Sequence, residues 1–148
     1  MLVSNTGTDN AAPLDWDLAA DPNVRPVWTH KQFSLIFNSA IAHDGRLFAY
    51  NEKRRGHHEF TCVDARTGES KWVSDAVPTG TFLLADAHLI FLTREGDIAL
   101  APASSAGLNP TARFHALDGK CYASPALANG RLFVRSNTGD LVAFDLRP

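Results

Sequence analysis

The chain has 148 residues, 45% of them hydrophobic and 20% charged, the composition of one globular domain and not of a disordered chain. A formal net charge of -2 gives no global electrostatic case for nucleic acid, and no run approaches the ~18 continuous apolar residues of a membrane helix. The start, Met1 to Gly7, has neither the basic residues nor the long apolar run of a signal peptide, and the two isolated cysteines, Cys62 and Cys121, form no disulfide framework and no Cys-x-x-Cys pair.

In chain order, Leu2-Val3-Ser4-Asn5-Thr6-Gly7 resembles Val134-Arg135-Ser136-Asn137-Thr138-Gly139, so the chain opens inside a strand of a repeat. Strands are expected next at 14–18 and at 26–31, the latter carrying Trp28. Asp44-Gly45-Arg46-Leu47-Phe48 then returns as Asn129-Gly130-Arg131-Leu132-Phe133, with Asp86-Ala87-His88-Leu89-Ile90 between, at steps of 42 and 43 residues. Glu95-Gly96-Asp97 matches Thr138-Gly139-Asp140, and Trp28, Trp72 and Phe114 are spaced by 44 and 42. Short aromatic and β-branched runs bounded by Asp-Gly and Asn-Gly turns read as strands in tight hairpins. A period of about 40–45 residues is that of four-stranded, WD40-like propeller blades.

The predicted fold class is therefore all-β, a partial β-propeller of four-stranded antiparallel blades, about three to three and a half of them. Residues 1–35 hold strands of an incomplete blade, 36–78 and 79–120 one blade each, and 121–148 an incomplete C-terminal blade. The first full blade is expected to have strands near 36–43, 46–51, 59–64 and 70–75. The second has them near 81–86, 88–93, 97–101 and 112–117, and the third near 123–128, 131–136 and 140–145. Propellers close with about four to eight blades, so either this is the C-terminal part of a longer protein or several chains complete a ring. A face left uncovered over about 500 Å² forgoes roughly 12 kcal/mol, which predicts association or aggregation.

The most specific motif is Asp64-Ala65-Arg66-Thr67-Gly68-Glu69-Ser70-Lys71-Trp72. An Asp carboxylate accepts from turn amides two or three residues on, Thr adds a hydroxyl, and Gly takes a positive φ. The motif resembles the tryptophan docking motif of PQQ-like (pyrroloquinoline-quinone-type) β-propeller repeats, with Asp64, Thr67, Gly68 and Trp72 as its structural docking residues. The resemblance runs from about Trp28 to Asp145, and the stretch from Cys121 to Arg135 is similar to the C-terminal blade of bacterial members. The second blade departs from it, with Pro102 for Asp and Phe114 for Trp.

The resemblance implies two kinds of protein. Quinoprotein dehydrogenases hold PQQ and calcium in a central funnel and oxidise alcohols or sugars. Other members, including the propeller lipoprotein of the outer-membrane assembly machine, are interaction platforms without a cofactor. Full-length members are exported, which implies a periplasmic or extracytoplasmic site.

The residues favour the second kind. Asp44, Asp64, Asp86, Asp97, Asp118, Asp140 and Asp145 fall at turns, while Asp9, Asp15, Asp17 and Asp21 lack a calcium-loop spacing. The expected reading is a non-enzymatic scaffold or binding module with no catalytic residues, no metal site and no cofactor. PQQ and calcium belong only to the alternative, the C-terminal portion of a quinoprotein dehydrogenase. The partners expected are other propeller blades, from a parent chain or a homo-oligomer, and a protein partner. The densest charge cluster, Lys53, Arg54, Arg55, His57 and His58, is a candidate binding loop for an anionic partner, set against the plainer reading of a solvated hairpin. His57 and His58 point to opposite faces of a strand and chelate poorly. Cys62 is expected as a buried thiol and Cys121 as a partly exposed one.

Overall fold

The computed structural model describes residues 3–5, 11–13, 26–29, 38–52 and 58–147. Its hairpins begin from the turn chemistry. Asp44 and Gly45 have φ of 47° and 71°, and Asn129 and Gly130 have 50° and 71°, the two successive left-handed residues of a tight hairpin whose twist matches its strands. The same turn in the middle repeat uses Asp86 and Ala87, at 45° and 57°. Each turn joins the first two strands of a blade.

Thirteen strands result, and no helix occurs among the described residues. β1 (Val3–Asn5) pairs antiparallel with β2 (Ala11–Pro13). β3 (Ile41–His43), β4 (Arg46–Glu52), β5 (His58–Asp64) and β6 (Ser70–Ser74) form a four-stranded meander, blade one. β7 (Gly80–Ala85), β8 (His88–Thr93), β9 (Asp97–Pro102) and β10 (Ala112–His115) form blade two. β11 (Ala126–Ala128), β12 (Arg131–Arg135) and β13 (Leu141–Asp145) form blade three, which has three strands among the described residues. The all-β, bladed architecture expected from the 42–43-residue period is the one observed. One expectation is corrected: residues 26–29 lie in no strand. Trp28 is instead held by its side chain, as described below. The strand expected at 14–18 lies outside the described residues.

The chain falls into two compact units, Met1–Val73 and Ser74–Pro148. In the first, Phe48, Tyr50, Phe60 and Cys62 are fully buried. The register places Phe48 opposite Cys62 and Tyr50 opposite Phe60. The Tyr50 and Phe60 rings meet edge to face at 4.9 Å. Ala49 and Val63, on the other face of the sheet, pack with Ala40 and Leu47.

In the second unit, blades two and three share one core. Ile90, Leu92 and Ile98 of blade two pack with Leu132 and Val134 of blade three, and Leu117 and Cys121 fill the join. Each of the larger side chains contributes about 1.5–3 kcal/mol relative to exposure. Cys121 is fully buried, which corrects the expected partial exposure. The reason is tertiary: its amide is fixed to the Arg94 carbonyl at 3.0 Å, which turns the thiol into the interblade core. Gly80 lies so close to the neighbouring strand that a Cβ there would sit 2.1 Å from the Leu92 carbonyl oxygen.

Candidate functional site: docking turns and the loop face

The turn after β5 builds a cage around one carboxylate. Asp64 Oδ1 accepts from the amides of Arg66 and Thr67, both at 3.0 Å. These two bonds, with a smaller contribution from Lys71 at 3.4 Å, hold the carboxyl below its ordinary range. The Gly68 amide donates to the Asp64 carbonyl at 2.8 Å, and Gly68 has φ 76°. The Thr67 hydroxyl accepts from the Glu69 amide at 3.3 Å.

This cage receives a tryptophan, and it is Trp28. The indole Nε1 donates to the Ala65 carbonyl at 3.0 Å. The ring lies on Gly68 so closely that a Cβ there would be 2.7 Å from Trp28 Cδ2. Glycine is thus needed twice at 68, for its backbone angle and for the ring. Trp72 packs within its own sheet, 6.1 Å from both Phe48 and Phe60. The register linking Trp28, Trp72 and Phe114 carried the signal that a Trp serves a turn later in the chain than its own. The turn motif by itself pointed only to Trp72.

Blade three repeats the start of this turn. The Leu146 amide donates to the Gly130 carbonyl as the Ala65 amide does to Gly45, at 2.8 and 2.9 Å. Asp145 Oδ1 accepts from the Arg147 amide at 3.1 Å, the counterpart of the Asp64–Arg66 bond. Phe114 occupies the Trp28 position and meets the Phe144 ring edge to face at 5.4 Å. In blade two, Pro102 replaces the Asp, and Ser104 closes a local turn to Ala106 instead.

The second cluster lies on the loops of blades two and three. Asp97 opens β9, while Arg113 and His115 stand on β10 across from it. Asp97 Oδ2 accepts from Arg113 Nη2 at 2.7 Å and Nε at 3.1 Å. Asp97 Oδ1 lies 2.9 Å from His115 Nδ1, and Asp118 Oδ1 lies 3.2 Å from His115 Nε2. Arg113, then His115, lower the Asp97 carboxyl; Asp97, then Asp118, raise the imidazole above 6.5. Lys120 pairs with Glu95, and the Arg94 guanidinium stands 5.8 Å above the half-exposed Tyr122 ring. Backbone bonds sew the loops together: Ala116 to Gly96, Cys121 to Arg94, and Asn137 to Lys120.

Of the expected binding loop, Lys53, Arg54, Arg55 and His57 lie outside the described residues. His58 opens β5 opposite Glu52, and its Nδ1 is buried without a hydrogen-bond partner among the described residues. Among the described residues no three His, Cys, Asp or Glu side chains are placed to hold a metal ion. Both thiols are pushed up by burial.

No family model matches the chain, and no curated protein matches it in sequence. Solved structures do. BamB from Moraxella catarrhalis superposes with a TM-score of 0.53 at 17% identity, over 72% of this chain and 32% of its own. A europium-containing methanol dehydrogenase gives 0.57 at 11% identity, over 74% and 23%. The quinohemoprotein alcohol dehydrogenase ADHIIG from Pseudomonas putida HK5 gives 0.56 at 16%, over 74% and 19%. The chain has the fold of PQQ-like β-propeller blades. It spans a third or less of the length of each of these structures. Among the described residues no helix is long and apolar enough to cross a membrane.

Proposed function

We propose that the chain is a non-enzymatic β-propeller scaffold or binding module, the C-terminal part of a larger PQQ-like repeat protein acting in an extracytoplasmic compartment. The observation that carries this reading is how the ionisable side chains are used. Asp64, Asp97 and Asp145 are each engaged by turn amides or by a basic partner of the same blade. Both thiols sit in cores. What remains exposed on the loops of blades two and three is a mixed surface of Arg94, Glu95, Asp118, Lys120 and Tyr122, the composition of a protein-contact surface. Asp64, Thr67 and Gly68 then serve as the docking turn that holds blades in order, with Trp28 as the ring seated on it.

The alternative is a segment of a quinoprotein dehydrogenase, as two of the similar structures are dehydrogenases. Native mass spectrometry of the chain with and without PQQ and Ca²⁺ separates the two. The scaffold reading expects unchanged masses, in a monomer or a discrete oligomer. A stoichiometric PQQ adduct that requires Ca²⁺ overturns it.

A further inference from the structure

Blade three carries a strand-sized site that blades one and two fill with strands of their own. We infer that the free edge of β13 binds an extended segment of a partner polypeptide, antiparallel, with a Lys or Arg followed by an aromatic residue. The inference goes beyond the scaffold reading in assigning a site and the chemistry of its occupant.

Three observations converge on it. The first is the edge. Blades one and two end in β6 and β10, whereas β13 is the last strand of its sheet among the described residues. The Asp140 carbonyl accepts from the Ser136 amide at 3.0 Å, which directs residues 140, 142 and 144 toward β12. Backbone groups alternate along an antiparallel strand, so those of Leu141 and Ala143 point to the open side. Their counterparts are in use in blade two, where the Leu100 carbonyl accepts from Thr111 at 2.8 Å. An unpaired row of this kind is a template for strand addition.

The second is a carboxylate. Asp140 occupies the Asp97 position of the repeat, in the same turn: the Asp97 amide donates to Thr93 Oγ1 at 3.0 Å, and the Asp140 amide to Ser136 Oγ at 3.2 Å. Asp97 binds the arginine and histidine of β10. Asp140 is exposed and accepts only from the hydroxyls of Ser136 and Thr138, at 3.2 and 3.0 Å, with no cationic partner among the described residues. Two oriented hydroxyls on one oxygen leave the other free for a cation.

The third is an apolar seat. In blade two, Phe114 of β10 lies directly opposite Ile98, which is 4% exposed. Leu141 holds the Ile98 position and is 69% exposed. A strand in the β10 register would set its basic residue opposite Val142, within reach of Asp140, and its aromatic ring over Leu141. β6 carries the same order, Lys71 then Trp72, and β10 has Arg113 then Phe114. The occupant's chemistry is therefore written twice in this chain.

The test uses the whole chain and a labelled peptide of residues 110–116, Pro-Thr-Ala-Arg-Phe-His-Ala. Fluorescence anisotropy should show saturable binding with half-saturation below about 1 mM. A peptide with Glu in place of Arg should bind at least about tenfold more weakly, and Asp140→Asn, which keeps the turn's acceptor, should weaken binding of the Arg peptide about three- to tenfold. Amide exchange reads the site directly: saturating peptide should slow exchange at Leu141 and Ala143 and leave β8 unchanged. No saturable binding, binding indifferent to both charge changes, or binding without protection at Leu141 and Ala143 would each overturn the proposal. PQQ plays no part in these measurements, so their failure is separate from that of the scaffold reading.

Discussion

Ala87 stands where the two equivalent hairpins have glycine, and its backbone is strained for it. Its φ is 57°, against 71° at both Gly45 and Gly130. A left-handed conformation costs an L-residue about 1–2 kcal/mol because Cβ crowds the following carbonyl. The residue is exposed, so its methyl contributes no core packing in return. Ala87→Gly removes the strain and loosens the unfolded chain, the latter costing about 0.4–1 kcal/mol. The difference is a net stabilisation of about 0.5–1 kcal/mol. The Ala103–Ala87 bond at 2.8 Å uses the carbonyl and survives the change. Trp16, Trp28 and Trp72 all lie in the first unit, so unfolding of the second is best followed by far-UV circular dichroism in urea. With a slope of about 2 kcal/mol per molar, the midpoint should rise by about 0.4 M. Gly45→Ala is the mirror experiment, since an added Cβ there meets nothing within 4 Å. It should lose a similar amount through backbone strain alone. A neutral or destabilising Ala87→Gly at unchanged slope would refute the assignment of strain to this turn.

Three further outcomes follow from the same geometry. Phe114→Trp should place an indole donor near the Leu146 carbonyl, the counterpart of Ala65, and stabilise the second unit by about 0.5–1.5 kcal/mol; blue-shifted emission without added stability would break the equivalence with Trp28. Gly96→Ala should cost about 3 kcal/mol or abolish soluble expression, since the new Cβ would lie 1.9 Å from the Leu117 carbonyl oxygen at φ 87°; a wild-type melt would refute this. The Asp97–His115 pair should show opposite pH limits. The raised imidazole stabilises the fold below its ordinary 6.5, and that contribution is lost as pH rises through its folded value. The lowered carboxyl contributes above its ordinary 3.8 and loses this as pH falls through its folded value. Asp97→Asn should move the His115 midpoint down in an NMR titration, and an unmoved midpoint would count against the contact.

Much of the candidate site was legible from residue type and spacing. The caged Asp64 and the positive φ of Gly68 follow from an Asp-x-x-Thr-Gly turn, whose bonds span two to four residues. Cys62 was legible too, as a small residue on an alternating strand that ends in a turn. Trp28 was not, because the turn it serves lies 37 residues later along the chain at Ala65. Nor was the Asp97–His115–Asp118 cluster, whose members belong to three different segments. The pairing of His115 with Asp97 depends on β10 lying in one register against β9, and a slip of one residue would send the imidazole to the other face.

The sequence by itself determined the strands, their hairpins and the number of blades, since period-2 alternation, Gly and Asn turns and the 42–43-residue repeat act over a few residues at a time. Only the tertiary structure decided which faces are covered. Leu132 and Leu141 are the same residue type in adjacent strands, yet they are 2% and 69% exposed. One meets the core of blade two, and the other faces outward beside an unpaired edge. Burial is a property of what packs against a strand, and no local pattern encodes it.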